Sequence, residues 1–174
     1  MPDPSRHADD RNVLERMIGS IPGFHGYLQK EYRREADALA RKWLADKLDQ
    51  GKLVLDGYIR NLLEAGKLSE ISQFESLRTK TDTLAGRLRS APRGYSGFFD
   101  YVKVREDLLD DIYQLDLSLM RAVEKLIQSF ESLSGASESP AIHCTSLTDQ
   151  VQHIDKLFSR RGEMLAGIAE DLNR

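Results

Sequence analysis

The chain has 174 residues, of which 40% are hydrophobic and 30% are charged, and its formal net charge is −3. Because acidic and basic residues are mixed along the chain without a basic block, the composition argues against nucleic-acid binding through charge. No apolar segment approaches the roughly 20 residues that cross a bilayer, and the single cysteine, Cys144, excludes an internal disulfide, so we expect a cytoplasmic protein without a transmembrane segment.

Residues 1–26 form a segment ahead of the main helical pattern, and the first of them lack the apolar core of a signal peptide. From about Asp10 to Ile18 apolar residues recur at helical spacing, which predicts a short amphipathic helix. Its polar side carries acidic residues instead of a basic cluster. We therefore expect this helix to pack against the rest of the protein and not to bind a membrane surface.

The apolar period of the next residues predicts two long helices joined by a glycine turn. The first covers about residues 27–64, and Gly51 and Gly57 predict a bend or a short break in it, because glycine disfavours a helix interior. Gly66 supplies the stop, and Ser69 is the expected N-cap of the second helix. The apolar seam of the second helix has the spacing typical of bundles: Ile71, Phe74, Leu77, Thr81, Leu84 and Leu88.

Two further helices follow in the same period. The third is predicted from near Arg105 to Leu133, and residues 134–145 have the composition of a flexible loop. Ser146 is expected to open the fourth helix, with Asp149 close to its unpaired N-terminal amides. The expected seam of the third helix is Leu109, Ile112, Asp116, Leu119, Val123, Leu126, Phe130 and Leu133. The expected seam of the fourth is Leu147, Val151, Ile154, Phe158, Arg161, Leu165, Ile168 and Leu172.

Four amphipathic helices with short connections predict an all-α fold over residues 27–174. We expect an elongated antiparallel (up-down-up-down) four-helix bundle, preceded by the short N-terminal helix. In that arrangement each helix packs beside its neighbour in sequence.

Two segments share an unusual pattern of proline, glycine and aromatic residues: PGFHGY at 22–27 and PRGYSGFF at 92–99. The antiparallel topology would bring both to one end of the bundle. One interpretation is an aromatic lid over the end of the core. The other is a ligand or partner site for an anion or an acidic peptide, although nearby acidic residues could pair with its arginines instead. The candidate residues are Phe24, Tyr27, Arg33, Arg34, Arg89, Arg93, Tyr95, Phe98 and Phe99.

The motifs IPGFHGY, YRREAD and GYSGFFD resemble those of a group of uncharacterised bacterial helical proteins. The resemblance covers about residues 21–130. It implies a bacterial origin and a helical architecture, and it assigns no catalytic or binding residue.

The sequence carries no convincing metal or catalytic motif. No glutamate is followed by histidine three positions later, as a di-iron bundle requires. His143, Cys144, Asp149 and His153 are conceivable zinc ligands, but without a second cysteine we expect ordinary solvated or half-buried side chains. A P-loop, a nucleophile elbow and a dinucleotide fingerprint are missing, so we expect neither an enzyme nor a cofactor.

Asp116 and Arg161 are polar residues at core positions of the third and fourth helices. If these helices form a hairpin, position 116 lies opposite about position 163. We therefore predict that the two side chains meet in a partly buried structural pair. The alternative is that Arg161 extends along the bundle surface to solvent.

These observations favour a non-enzymatic interaction or scaffold module that binds a protein partner or self-associates into a homodimer. The alternative is a module that binds an anion or an acidic peptide at the aromatic and arginine-rich end. An enzyme of unknown type is the third interpretation.

Overall fold

A computed structural model describes residues 33–91, 106–135 and 139–172, and it is all-helical there, with no strand in those ranges. A 3₁₀ turn at Ser132–Gly135 follows the third helix. The short N-terminal helix predicted from about Asp10 to Ile18 lies outside the described residues. The described helices are α1 (Arg33–Glu64), α2 (Leu68–Ser90), α3 (Glu106–Glu131) and α4 (Pro140–Leu172).

Helix α1 is continuous through its two glycines, so of the predicted bend or short break the break does not occur. Gly51 is buried where α1 meets α3. A Cβ atom added there would lie 2.9 and 3.2 Å from ring carbons of Phe130, and closer still to the side chain of Ile127. Nothing lies within 4 Å of a Cβ at Gly57. The first glycine therefore permits a close approach of two helices, which outweighs its weak helix propensity.

The turn between α1 and α2 is a Schellman motif, which confirms the predicted glycine stop. Gly66 has a φ of 70°, in the left-handed region that favours glycine. The amide of Lys67 donates to the carbonyl of Leu62 at 2.9 Å, and the amide of Gly66 donates to that of Leu63 at 3.0 Å. These two hydrogen bonds satisfy carbonyls that the end of α1 would otherwise leave unpaired.

The prediction that Ser69 caps α2 is wrong. The N-cap position is occupied by Lys67, which makes no side-chain capping hydrogen bond. Ser69 lies within the first turn, and its hydroxyl donates to Oε2 of Glu70 at 2.6 Å. Because the Schellman turn already sets the chain direction at this point, α2 begins without a side-chain cap.

Helix α4 begins at Pro140, so the prediction that Ser146 opens it is wrong, and residues 140–145 are helical instead of a loop. The carbonyl of Ser139 accepts hydrogen bonds from the amides of Ile142 and His143 at 3.0 and 3.3 Å. Proline suits the first helical position, because the amide that it lacks would have no partner there. The pair Ser139–Pro140 is thus the local start signal.

The four described helices pack against one another in the cyclic order α1, α2, α4, α3. This confirms four packed helices. The expectation that each helix lies beside its neighbour in sequence holds for α1 with α2 and for α3 with α4. It is wrong for α2 and α3, which make no comparable contact in the described ranges and occupy opposite corners.

Most described members of the predicted seams are buried in the core, to which each described helix contributes, and Ile71 and Phe158 are partly buried against it. The side chains of Leu109, Ile168 and Leu172 lie outside the described set. Thr81, a polar member of the α2 seam, is fully buried, and its hydroxyl donates to the carbonyl of Leu77 at 2.9 Å. Helix α3 buries more than its predicted seam, because Leu115, Leu117 and Met120 are also buried. The largest fully buried side chains are Phe74, Phe130, Leu48, Leu55, Leu77, Leu84, Leu88, Leu117, Leu119, Leu126 and Ile154.

Candidate functional site

The structure places only part of the predicted ligand site. Arg33 and Arg34 lie in the first turn of α1, but their side chains are outside the described set. Arg89 lies near the end of α2. The predicted contact between the two aromatic loops concerns residues outside the described ranges. Also outside these ranges are Phe24, Tyr27, Arg93, Tyr95, Phe98 and Phe99.

Arg89 is engaged by carboxylates of α1. Its Nη2 donates to Oδ1 of Asp46 at 3.1 Å and also pairs with Asp49. The hydrogen bonds that Arg89 donates to Asp49 and then to Asp46 raise the pKa of Arg89. Desolvation acts to raise the pKa of Asp49, but hydrogen bonds from Arg89 and Lys52 outweigh it and lower that pKa. Arg89 therefore joins α2 to α1.

A second set of arginines lines a groove of about 520 Å³ near the end of α2. We call it the arginine groove. Its walls come from the first half of α1, the last residues of α2 and the second half of α4. The lining residues are Arg41, Arg87, Ser90, Ala91, Phe158, Ser159, Arg161, Gly162, Glu163 and Ala166.

Arg41 forms the buried wall of the arginine groove and is only 6% exposed. Its Nη1 donates to the carbonyl of Ala91 at 2.7 Å and to that of Leu88 at 3.3 Å. These carbonyls belong to the end of α2, where the helix dipole is negative. Arg41 therefore stabilises the end of α2 and opposes its partial negative charge.

Arg87 is held from the α4 side of the groove. Its Nη1 pairs with Asp155, and its Nη2 donates to the hydroxyl of Ser159 at 3.2 Å. The guanidinium carbon lies 5.9 Å from the centre of the Phe158 ring, within the range of a cation–π contact. Three neighbours on one helix thus orient a side chain that is otherwise half exposed.

Arg161 meets Asp116, as the hairpin register of α3 and α4 predicts. Its Nε donates to Oδ1 and its Nη2 donates to Oδ2, the latter at 3.3 Å. The two side chains are 9% and 19% exposed, respectively. This is the bidentate geometry that arginine and carboxylate groups favour.

The described lining of the arginine groove is rich in hydrogen-bond donors. Among its described lining residues are three guanidinium groups, the hydroxyls of Ser90 and Ser159, and the carboxylate of Glu163, and each guanidinium group already has an acceptor within the protein. No cysteine or histidine lies among its described lining residues.

The sequence pattern contained a signal for Arg41 that the prediction overlooked. Arg41 precedes the buried Leu44 by three positions and the buried Leu48 by seven, so it lies on the apolar stripe of α1. A charged residue on such a stripe either pairs within the protein or binds a ligand. The partners of Arg87, which are Asp155 and Ser159, come from a distant part of the chain, so the sequence pattern did not indicate them.

The conceivable zinc ligands do not converge. Cys144 is a core residue, 5% exposed, whereas Asp149 and His153 line an open surface groove between α3 and α4. Among the residues whose positions are described, no cluster of three or more histidine, cysteine or acidic side chains could hold a metal ion. Burial raises the pKa of the Cys144 thiol, an effect that a hydrogen bond with Thr148 only partly offsets.

A different surface feature lies at the α1–α2 turn. Leu63 and Leu68 flank the Schellman motif, and they are 59% and 67% exposed. We call this pair the leucine tip. The prediction overlooked it because neither residue belongs to an apolar seam.

Comparison of the chain with protein-family models, with curated proteins and with solved structures gave no match. None of the helices in the described ranges combines the length and apolar character that crossing a membrane requires.

Proposed function

We propose that the protein is a non-enzymatic interaction or scaffold module, which binds a protein partner or a second copy of itself. The observation that carries this proposal is the leucine tip. Single exposed leucines are common on protein surfaces. Two of them on either side of one tight turn give a small apolar end on a rigid support, which suits a contact with another protein.

The energetics of such a contact are adequate for a modest interaction. Full burial of a leucine side chain contributes about 1.5–3 kcal/mol. Because the Schellman hydrogen bonds already order the turn, binding would lose little backbone entropy there. The leucine tip would therefore act as a small anchor within a larger surface.

The experiment compares the wild-type protein with the double variant Leu63→Ser/Leu68→Ser. Sedimentation velocity over a wide concentration range measures self-association, and affinity capture from extracts of the source organism measures partner binding. We expect the double variant to lose the complex or to bind at least tenfold more weakly. Leu53→Ser removes a leucine of α1 that is 69% exposed, and it serves as the matched control.

Both variants change only exposed side chains, so their thermal unfolding should resemble that of the wild type. If the double variant forms every complex that the wild type forms, with unchanged affinity, the leucine tip is not the interaction site.

We also infer that the chain direction alternates from helix to helix. Supporting this, Arg41 contacts Ala91 whereas Asp56 contacts Arg78, so contacts run in opposite order along α1 and α2. Between α3 and α4, Asp116 pairs with Arg161 and Ser129 donates a hydrogen bond to Gln150. The residue numbers again run in opposite order along the two helices. These contacts favour two antiparallel hairpins.

Two interactions of α2 with α4 support a proposal for the relation between the hairpins. The positive charge of Lys80 acts to lower the pKa of the Cys144 thiol, and Arg87 pairs with Asp155. Residue numbers therefore increase in the same direction along α2 and α4. This order favours a parallel arrangement of α2 and α4. With two antiparallel hairpins, α1 and α3 are then parallel as well.

The other interpretations stay predictions. The anion or acidic-peptide site built on the two aromatic loops depends on residues of which only Arg89 has a described side chain. No observation favours the enzyme interpretation. We further propose that the protein is bacterial and cytoplasmic. The resemblance of the loop motifs supports the bacterial origin, and the lone cysteine supports the cytoplasmic location.

A further inference from the structure

We propose that the open groove between α3 and α4 is the interface of a homodimer, in which a second copy of the chain lies on this groove across a twofold axis. The surface is separate from the leucine tip and from the arginine groove. The proposal goes beyond the proposed function, because it names one partner, the chain itself, and it does not depend on the leucine tip.

The groove, which we call the α3–α4 groove, is long enough to receive helices of another molecule. It has a volume of about 920 Å³. Its lining comes from about two turns of α3, within residues 118–125, and from about three turns of α4, within residues 142–153. A surface made by two adjacent helices offers ridges and grooves into which the helices of a partner can pack.

The two halves of the α3–α4 groove follow one another along its length. Ser129 of α3 donates a hydrogen bond to Gln150 of α4. In the antiparallel order proposed above, Lys125 then lies near the middle of the groove, with Ser118 at one end and Ile142 at the other. A twofold axis through the middle places the α3 half of each copy on the α4 half of the other, as in an isologous dimer.

The charges of the groove are self-complementary under this axis. Lys125 is an exposed cation of the α3 half, and Asp149 is an exposed anion of the α4 half. Within the described part of the chain, neither the ammonium group nor the carboxylate has an ion pair. Because both lie near the middle, the axis brings Lys125 of each copy to Asp149 of the other, and such complementarity favours one specific arrangement. Arg121 and His153 complete the described titratable lining, one on each half.

The shapes of the two halves match as well. Ile142 is 59% exposed at the outer end of the α4 half. At the outer end of the α3 half the lining side chains are small, those of Ser118 and the half-buried Ala122. The same axis places Ile142 of each copy over these two residues of the other. The dimer therefore removes an exposed apolar side chain from water and fills the space that small residues leave.

The test uses charge reversal in the full chain. Sedimentation velocity over a wide concentration range should show a monomer–dimer equilibrium for the wild type. Lys125→Glu and Asp149→Lys each bring like charges together at both symmetric contacts, so each should weaken dimerisation at least tenfold. An equimolar mixture of the two variants should form a heterodimer with an affinity close to that of the wild type, because both contacts again join opposite charges.

Rescue by mixing separates a dimer contact from an ion pair within one chain, since a contact inside one copy stays broken in the mixture. Lys42→Glu is the matched control, because it reverses an exposed lysine of α1 outside the groove, and it should dimerise as the wild type does. Leu63→Ser/Leu68→Ser should also keep this dimer. Loss of binding at the leucine tip and loss of the groove dimer are therefore separate results.

A wild type that stays monomeric at the highest attainable concentration would overturn the proposal, as would a mixture of the two reversed variants that stays monomeric. A dimer that only the leucine-tip variant disrupts would also overturn it. If a reversed variant fails to fold, isotope-filtered NOEs in a mixture of labelled and unlabelled wild type decide instead. We expect NOEs between the methyl groups of Ile142 and Ala122 in different copies, and their absence would remove this interface.

Discussion

Gly51 illustrates how one residue without a side chain can decide a helix contact. Its missing Cβ leaves room for the side chains of Ile127 and Phe130, both on α3. A Cβ atom added at Gly57, further along α1, would have no other atom within 4 Å. The same residue type in the same helix therefore has opposite effects on stability, because packing sets the sign at one position and helix propensity sets it at the other.

We predict that Gly51→Ala destabilises the fold by about 1–3 kcal/mol, the usual result of overpacking. Gly57→Ala should stabilise it by up to about 1 kcal/mol, because alanine favours the helix. Urea denaturation of both variants measures the free energies of unfolding. Stabilisation by both substitutions would show that α1 and α3 do not approach closely at Gly51.

The pair of Asp116 and Arg161 leads to a second prediction. Removing one partner of a buried ion pair costs about 3–5 kcal/mol when burial is complete, and less at the partial exposure found here. Arg161→Ala should therefore destabilise the fold more than the double change Asp116→Leu/Arg161→Leu, which leaves no charge unpaired. A double-mutant cycle measured by chemical denaturation gives the coupling free energy, and a value near zero would contradict the pairing.

Cys144 should react slowly with thiol reagents in the folded protein. The side chain is 5% exposed, and its raised pKa keeps the thiol protonated near neutral pH. Reagents attack the thiolate, so both effects slow the reaction. Absorbance at several reagent concentrations measures the rate. We expect fast labelling in denaturant, and equally fast labelling of the native protein would argue against the buried position.

At the scale of the elements, helices α1 and α2 are joined by ion pairs along their length. They connect Arg89 with Asp46 and Asp49, Lys52 with Asp82, and Arg78 with Asp56. Exposed pairs contribute little individually, and those that share charges contribute more. Lys52 is shared in this way, since it also pairs with Asp49 at 3.0 Å.

Asp49 makes the stability that these ion pairs contribute depend on pH in a known direction. Its folded-state pKa is lowered, so its stabilising contribution is present above the unfolded pKa of about 3.9 and is lost as pH falls through the folded value. Asp49→Asn should be less stable than the wild type at neutral pH, by at most about 1 kcal/mol for a partly exposed pair. The difference should vanish at lower pH, as chemical denaturation at a series of pH values measures.

Glu131→Gln is the control for that experiment, because Glu131 is an exposed acidic residue at the end of α3, away from the α1–α2 ion pairs. Its stability difference from the wild type should be small throughout. A difference for Asp49→Asn that persists unchanged below the folded pKa would mean that the carboxylate charge is not the cause.

At the scale of the whole molecule, the four described helices pack so that the consecutive helices α2 and α3 lie at opposite corners. This arrangement brings the end of α2 against α4, where Arg87 meets Asp155 and Ser159. With α3 beside α2, the arginine groove would have a different wall. The cyclic order of the helices therefore creates this groove.

A spin-label experiment tests the proposed parallel arrangement of α2 and α4. With a nitroxide on Lys80→Cys in a Cys144→Ala background, we expect strong broadening of amides near residues 143–148. Amides near residues 160–165 should stay sharp. The reverse pattern would show that the two helices are antiparallel and would remove the proposed order of the hairpins.

The sequence by itself determined the helical class, the apolar seams, the glycine stop at Gly66 and the register of the hairpin that brings Asp116 to Arg161. These features depend on residues close in sequence or on one periodic pattern. The start of α4 was also encoded locally, in Ser139–Pro140, although loop-like composition around it obscured the signal. Only the tertiary structure decided that Gly51 is a contact point, that α2 and α3 are separated, and that Arg41, Arg87 and Arg161 share a groove. Amphipathic helices of similar composition can pack in several cyclic orders, and the choice depends on side-chain fit between segments distant in sequence.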